Sequence, residues 1–155
     1  MIYVCYICTQ KEEIMRKRLL FMAFVLFNFS AILAQKSDKP FKGRFENEEF
    51  KVYLVLNLHY QNVKVPGQEI YGELPGYLGK RNNSFCWLIT ASEVKSKSKA
   101  NVELINEYGS EDLCATLTLK GDSILTLKQG EGSDIKVPNK GKWQKLPSTL
   151  TFKRK

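Results

Sequence analysis

From Phe50 to Tyr60 every even position is apolar or aromatic: Phe50, Val52, Leu54, Leu56, Leu58 and Tyr60. The odd positions mix Lys51, Asn57 and His59 with Tyr53 and Val55. A period of two lays one face of a long extended strand against a core, with Lys51 on the opposite face; a helix would scatter the same side chains round its axis. The alternation recurs in Phe85-Cys86-Trp87-Leu88-Ile89-Thr90, where Phe85, Trp87 and Ile89 share a face, and over Val102-Glu103-Leu104. Leu113–Leu119 and Ser123–Gln129 flank Lys120-Gly121-Asp122, which predicts a hairpin because glycine supplies the positive φ of a tight turn. Phe41–Phe45, Ile70-Tyr71-Gly72, Gly141-Lys142-Trp143 and Thr149–Lys153 predict further strands.

About eight short strands separated by turn residues, with no helical period between them, define an all-β chain. The expected architecture is an antiparallel up-and-down meander forming a closed or nearly closed barrel, with a β-sandwich as the alternative. Closure has a physical attraction: it removes the exposed sheet edges that a small monomer must otherwise guard.

Ahead of the strands the pattern is different. Met15-Arg16-Lys17-Arg18 precedes the apolar run Leu19–Leu33, which is interrupted by Asn28 and Ser30 and followed by Ala34. A basic segment, an apolar segment and a small residue, in that order, predict a secretory signal spanning residues 1–34 and cleaved after Ala34, although Ile32 is an imperfect small-residue substitute. The run is shorter than the roughly 20 apolar residues of a spanning helix, so no permanent membrane span is expected. Met15 begins a complete signal by itself, which makes residues 1–14 read as an upstream start assigned in error. Their Cys5-x-x-Cys8 pair would leave with the signal. Residues 35–155 then form a single exported β-domain, periplasmic or extracellular, whose polar start Gln35–Lys39 carries no strand pattern.

Composition changes this picture little. Twenty-four Lys and Arg against 16 Asp and Glu give a formal charge of +8, with 26% charged and 43% hydrophobic residues, so the chain has the makeup of a globular protein. The positive balance favours anionic partners. No Lys/Arg block is interleaved with aromatics, and nucleic acid is not an expected partner. Lys95, Lys97 and Lys99 alternate with small residues, as in a solvated loop.

The strand rhythm and glycine placement from Phe41 to Phe152 resemble those of small lipocalin- and avidin-like barrels and of exported bacterial β-domains of unassigned function. The early Gly-x-Trp signature of lipocalins is missing: Phe41-Lys42-Gly43 stands near its place, and Gly141-Lys142-Trp143 comes only near the end. The resemblance implies binding rather than catalysis.

Residues with chemical potential are scattered. Cys86 and Cys114 both point away from the core by strand parity. Export favours a disulfide, but a meander puts the Val102 strand between theirs. Two strand spacings are roughly 9–10 Å, against the limit of about 7 Å that a disulfide sets on its Cα atoms. Two free thiols are therefore expected. His59 has no Ser or Cys tied to it by spacing, and Glu111-Asp112 reads as a stabilised turn. Gly72–Arg81 lacks the spacing and the following Ser or Thr of a phosphate loop, and reads as a bent hairpin shaped by Pro75. Asn82-Asn83-Ser84 matches the N-glycosylation sequon.

Aromatic side chains carry more weight. Tyr71, Tyr77, Trp87 and Tyr108 are the expected ligand-binding residues, from a wider set with Tyr53, Tyr60 and Trp143 that can line a barrel mouth and stack on a ligand. No cofactor or metal motif is present in the sequence. The expected function is a non-catalytic binding or interaction module for a protein partner or small ligand. The alternatives are an inhibitor or immunity protein against an acidic enzyme and a hydrolase built on carboxylates such as Glu111 and Asp112.

Overall fold

The computed structural model describes residues 40–155; the signal segment, its cleavage site and the Cys5/Cys8 pair lie outside the described residues. Twelve strands follow in order: β1 (Lys42–Asn47), β2 (Val52–Asn57), β3 (Val63–Lys64), β4 (Glu73–Leu74), β5 (Gly76–Lys80), β6 (Cys86–Val94), β7 (Lys99–Asn106), β8 (Asp112–Lys120), β9 (Ile124–Gly132), β10 (Lys136–Asn139), β11 (Lys142–Lys145) and β12 (Thr149–Arg154). Eight of them close an antiparallel barrel in the order β1-β12-β9-β8-β7-β6-β5-β2. Each barrel strand pairs with the next one along the chain, and β12 returns to β1. The barrel is thus an up-and-down meander with two detours. The β3/β4 pair is inserted between β2 and β5, and the β10/β11 pair between β9 and β12.

Period-two alternation decides what fills the interior. Phe45, Val52, Leu54, Leu78, Trp87, Leu104, Leu117, Leu125 and Phe152 point inward and are at most 2% exposed. Eight strands enclose a space just wide enough for side chains to fill, and here they do fill it, in one contiguous cluster. Phe41 and Leu58 join this cluster at one end of the barrel, and Ile135, Val137 and Leu146 of the β10/β11 detour join it at the other. A smaller cluster lies on the outer wall, where Val65 and Leu74 of the first detour cover Tyr77, Cys86 and Leu88.

The closing seam is short: β1 and β12 share only the register pairs Phe45↔Arg154 and Glu46↔Lys153. Side chains extend it. Asn47 Nδ2 donates to Thr151 O at 2.8 Å, and Lys155 N donates to Arg44 O at 3.0 Å. The Arg154 guanidinium donates to the Lys42 and Asp122 carbonyls and lies 4.4 Å from the Phe45 ring centroid. Gly43, at φ 126°, makes room for it: a Cβ there would stand 2.5 Å from Arg154 Nη1.

Three sequence expectations change. The long strand from Phe50 to Tyr60 is shorter, because Lys51 adopts φ 52° and closes the β1–β2 turn, in which Phe50 N donates to Asn47 Oδ1. Lys51 is therefore a turn residue, and His59 lies in the turn that follows β2. Ile70-Tyr71-Gly72 is no strand: Glu69–Tyr71 form a single 3-10 turn with Ile70 91% exposed. Three residues are too few for alternation to specify a strand. Finally, Gly76–Lys80 is a wholly buried barrel strand, and the turn shaped by positive φ falls later, at Asn82. Gly79 fits this strand because the hydroxyl end of the Tyr53 ring lies 2.5 Å from where a Cβ would stand.

Trp87 is fully buried, and its Nε1 donates to Lys136 O at 3.0 Å. Trp87→Ala should destabilise the domain by about 3–5 kcal/mol, through cavity formation. Lys51→Gly relieves a left-handed backbone and should leave stability unchanged or raise it by up to about 1 kcal/mol. Denaturant titration of both variants checks the assignment, and equal losses would contradict it.

Candidate functional site

Three connections meet at the barrel end covered by β10/β11. The β5–β6 turn delivers Phe85, the β7–β8 turn delivers Tyr108 and Glu111, and the β10/β11 hairpin delivers Lys136 and Trp143. Phe85 is 5% exposed and forms the floor. The Trp143 ring stands edge-on to it with centroids 5.0 Å apart, and the Tyr108 ring tilts against it at 5.9 Å. Tyr108 and Trp143 remain 68% and 56% exposed.

Local chemistry fixes these loops. Asn106, 4% exposed, accepts from Ser110 N at 2.9 Å and donates to Ser110 Oγ at 3.0 Å, so the Tyr108 turn is tied to the end of β7. Asn83 Oδ1 accepts from Phe85 N at 2.8 Å. The hairpin is anchored at several points. Gln129 accepts from Ile135 N at 2.7 Å and donates to Pro147 O at 2.7 Å. The Glu111–Lys136 ion pair, at 2.8 Å, joins it to the β7–β8 turn, and Lys145 pairs with Asp134 at 2.6 Å. Glu111 raises the Lys136 pKa by hydrogen bonding, and a hydrogen bond with Glu107 raises that of Tyr108. The platform is thus two exposed rings on an aromatic floor, with the Glu111–Lys136 and Asp134–Lys145 ion pairs among the residues around it.

The four expected ligand-binding residues are not brought together. Tyr108 belongs to the platform. Trp87 lies inside the core, where it holds the hairpin backbone from beneath and offers no exposed surface. Tyr77 sits on the outer wall, its ring edge-on to Tyr53 at 5.9 Å, and burial pushes its hydroxyl up to about 12. Tyr71 lies on the β2–β5 connection, which leaves the barrel from the opposite end. Trp143 was one of the wider aromatic set rather than an expected site residue, and Phe85 read as core. The signal for the hairpin was Asn139-Lys140-Gly141-Lys142: Lys140 and Gly141 take φ 50° and 77°, the pair of positive values that a two-residue hairpin turn requires.

Other candidates resolve into local roles. His59 Nε2 lies 2.8 Å from Pro40 O, and Glu111 is committed to Lys136. Among the described residues no three His, Cys, Asp or Glu side chains are grouped to hold a metal ion, and no helix is long and apolar enough to cross a membrane. Cys86 and Cys114 are free thiols on strands separated by β7, as the meander predicts. Burial pushes Cys86 up to about 11. Cys114 is exposed and lines a hollow of about 390 Å³ on the outer wall, beside the register shifts in β6 and β8–β9.

On the wall near the seam, Glu46 is the hub of an ionic cluster. It pairs with Arg44 at 2.7 Å, with Arg81, and with Lys155 at 3.5 Å. Arg44 in turn lies 3.8 Å from the Tyr53 ring centroid. Hydrogen bonding from Arg44, reinforced by Arg81, lowers the Glu46 pKa to about 2.

Comparison of the chain with family models, with curated proteins and with solved structures finds no match.

Two predictions follow from this chemistry. Of the two cysteines in the barrel, a thiol-selective disulfide reagent at mildly alkaline pH should titrate Cys114 in the folded protein and Cys86 only after unfolding; rapid reaction of both would contradict the burial of Cys86. Because Glu46 is depressed in the folded state, its contribution to stability is complete above the unfolded value of 4.5 and is lost as pH falls toward about 2. Glu46→Gln should therefore flatten the acid limb of stability in that window, as read by thermal melts at a series of pH values.

Proposed function

We propose that this chain is an exported, non-catalytic binding module that engages a protein partner through the Phe85–Tyr108–Trp143 platform. The observation that carries this reading is the exposure of two large aromatic rings held rigidly on a buried third. Exposed Trp and Tyr on a fixed support, with ion pairs beside them, have the composition of an interface centre with its rim. A filled barrel interior directs recognition to the outside of the molecule, in contrast to the internal cavity of a ligand-carrying barrel. The export half of the proposal rests on the basic-apolar-small pattern of residues 15–34.

A photocrosslinking amino acid placed at Trp143 should trap a defined partner in the source organism, whereas one at Lys97, on the opposite end of the barrel, should not. With that partner in hand, Trp143→Ala should weaken binding by about 2 kcal/mol or more, as for an interface hot spot. The same change should leave the melting temperature close to that of the parent. Equal trapping from both positions, or unaltered affinity, would refute the platform.

A further inference from the structure

The outer wall of β7, β8, β9 and β12 carries a different kind of surface. Strand register arranges its outward side chains in rows. One row runs Asn101–Thr116–Lys128–Thr149, the next Lys99–Thr118–Thr126–Thr151, and the third Lys120–Ile124–Lys153. Neighbours in a row are about 5 Å apart, and successive rows about 7 Å. The four lysines are exposed, and among the described residues none of them enters an ion pair. No carboxylate stands within the rows. Glu46 flanks Lys153 across the seam but is already held by Arg44 and Arg81, Glu103 lies beyond Asn101 on β7, and Asp122 stands in the β8–β9 turn that joins Lys120 to Ile124. The hollow lined by Cys114 opens beside the first row and shares Asn101 and Thr116 with it.

We propose that this wall is a docking surface for an acidic polysaccharide. Unpaired lysines meet its anionic groups, and the threonines meet its hydroxyls. A threonine hydroxyl both donates and accepts, as a sugar hydroxyl does, whereas a phosphate backbone only accepts. The hollow gives a sugar ring a recess in an otherwise shallow face. The chemistry of the wall disfavours the other anionic surfaces. It has no exposed aromatic or long apolar side chain to enter a lipid interface and no ring on which a base can stack.

The test uses the full chain with polygalacturonate as the probe and dextran, phosphatidylglycerol vesicles and duplex DNA as comparators. Polygalacturonate should bind at low ionic strength and dextran should not. K99Q/K120Q/K128Q/K153Q should weaken binding about tenfold or more, while K51Q/K64Q/K140Q/K142Q, with the same net charge, should change it by less than about threefold. T118V/T126V, which keeps the β-branched shape, should weaken it further. Equal losses from the two lysine sets would reduce the effect to net charge and overturn the proposal. So would vesicles or DNA binding as tightly as polygalacturonate, no binding of polygalacturonate, or full affinity in T118V/T126V. Trp143→Ala should leave polygalacturonate binding intact, so this proposal and the protein-partner reading fail separately.

Discussion

Everything in this fold depends on joining β12 to β1. An eight-stranded meander that fails to close presents two free edges and an apolar interior with one side open. The chain closes on only two registered residue pairs, so the seam must borrow strength from side chains. Asn47 bridges to the β12 backbone from one end, and Arg154 holds the carbonyls of Lys42 and Asp122 at the other. The Arg154 guanidinium also lies over the ring of Phe45, an interior residue. A single planar fork thus links strand β1, the β8–β9 turn and the core. This explains why glycine stands at position 43, where any side chain would occupy the space of that fork.

Closure also determines where function can lie. With the wall complete and Trp87, Phe45, Phe152 and the leucines filling the lumen, one end is covered by the β10/β11 detour and the other is filled by Phe41 and Leu58. The β10/β11 hairpin inserts Ile135, Val137 and Leu146 below while presenting Trp143 above. Its attachment through Trp87, Gln129 and Glu111 makes the exposed tryptophan part of a rigid assembly, which lowers the entropy lost when a partner docks on it.

How much of this was legible in the sequence depends on the length of each alternating run. Phe85, Trp87 and Ile89 were readable as one inward face because the bulkiest side chains of the run share one parity, although Cys86 and Leu88 on the other face are buried as well. The thiols were readable for the same reason: parity and meander order placed a strand between Cys86 and Cys114. Ile70-Tyr71 failed as a strand because so short an apolar pair is equally served by a 3-10 turn. The buried strand Gly76–Lys80 was hidden because its glycines resembled turn signals. Gly79 is small to admit the ring of Tyr53, a residue far away in sequence, and no local pattern encodes that contact. The platform was hidden for a related reason. Phe85, Tyr108 and Trp143 come from three separate connections, and only closure brings those connections to the same end.

A division of labour between the two basic residue types follows from the same geometry. Arg44, Arg81 and Arg154, the arginines of the described residues, are all committed to structure. They bind Glu46, Glu48 and backbone carbonyls, or lie over Tyr53 and Phe45. A planar fork with several fixed donors suits such multiple, directed contacts, whereas an ammonium on a flexible stem is a hydrated point charge. The lysines on the β7–β8–β9–β12 wall are of the second kind and enter no ion pair, whereas Lys136 and Lys145 beside the platform are paired with acids. The positive balance read from composition is therefore not spread evenly over the barrel. It is neutralised where the fold is stitched together and at Lys136 and Lys145, while four lysines outside any ion pair stand in rows on the hydroxyl-bearing wall. On that wall an attractive field acts on an anionic partner without first having to break an internal ion pair.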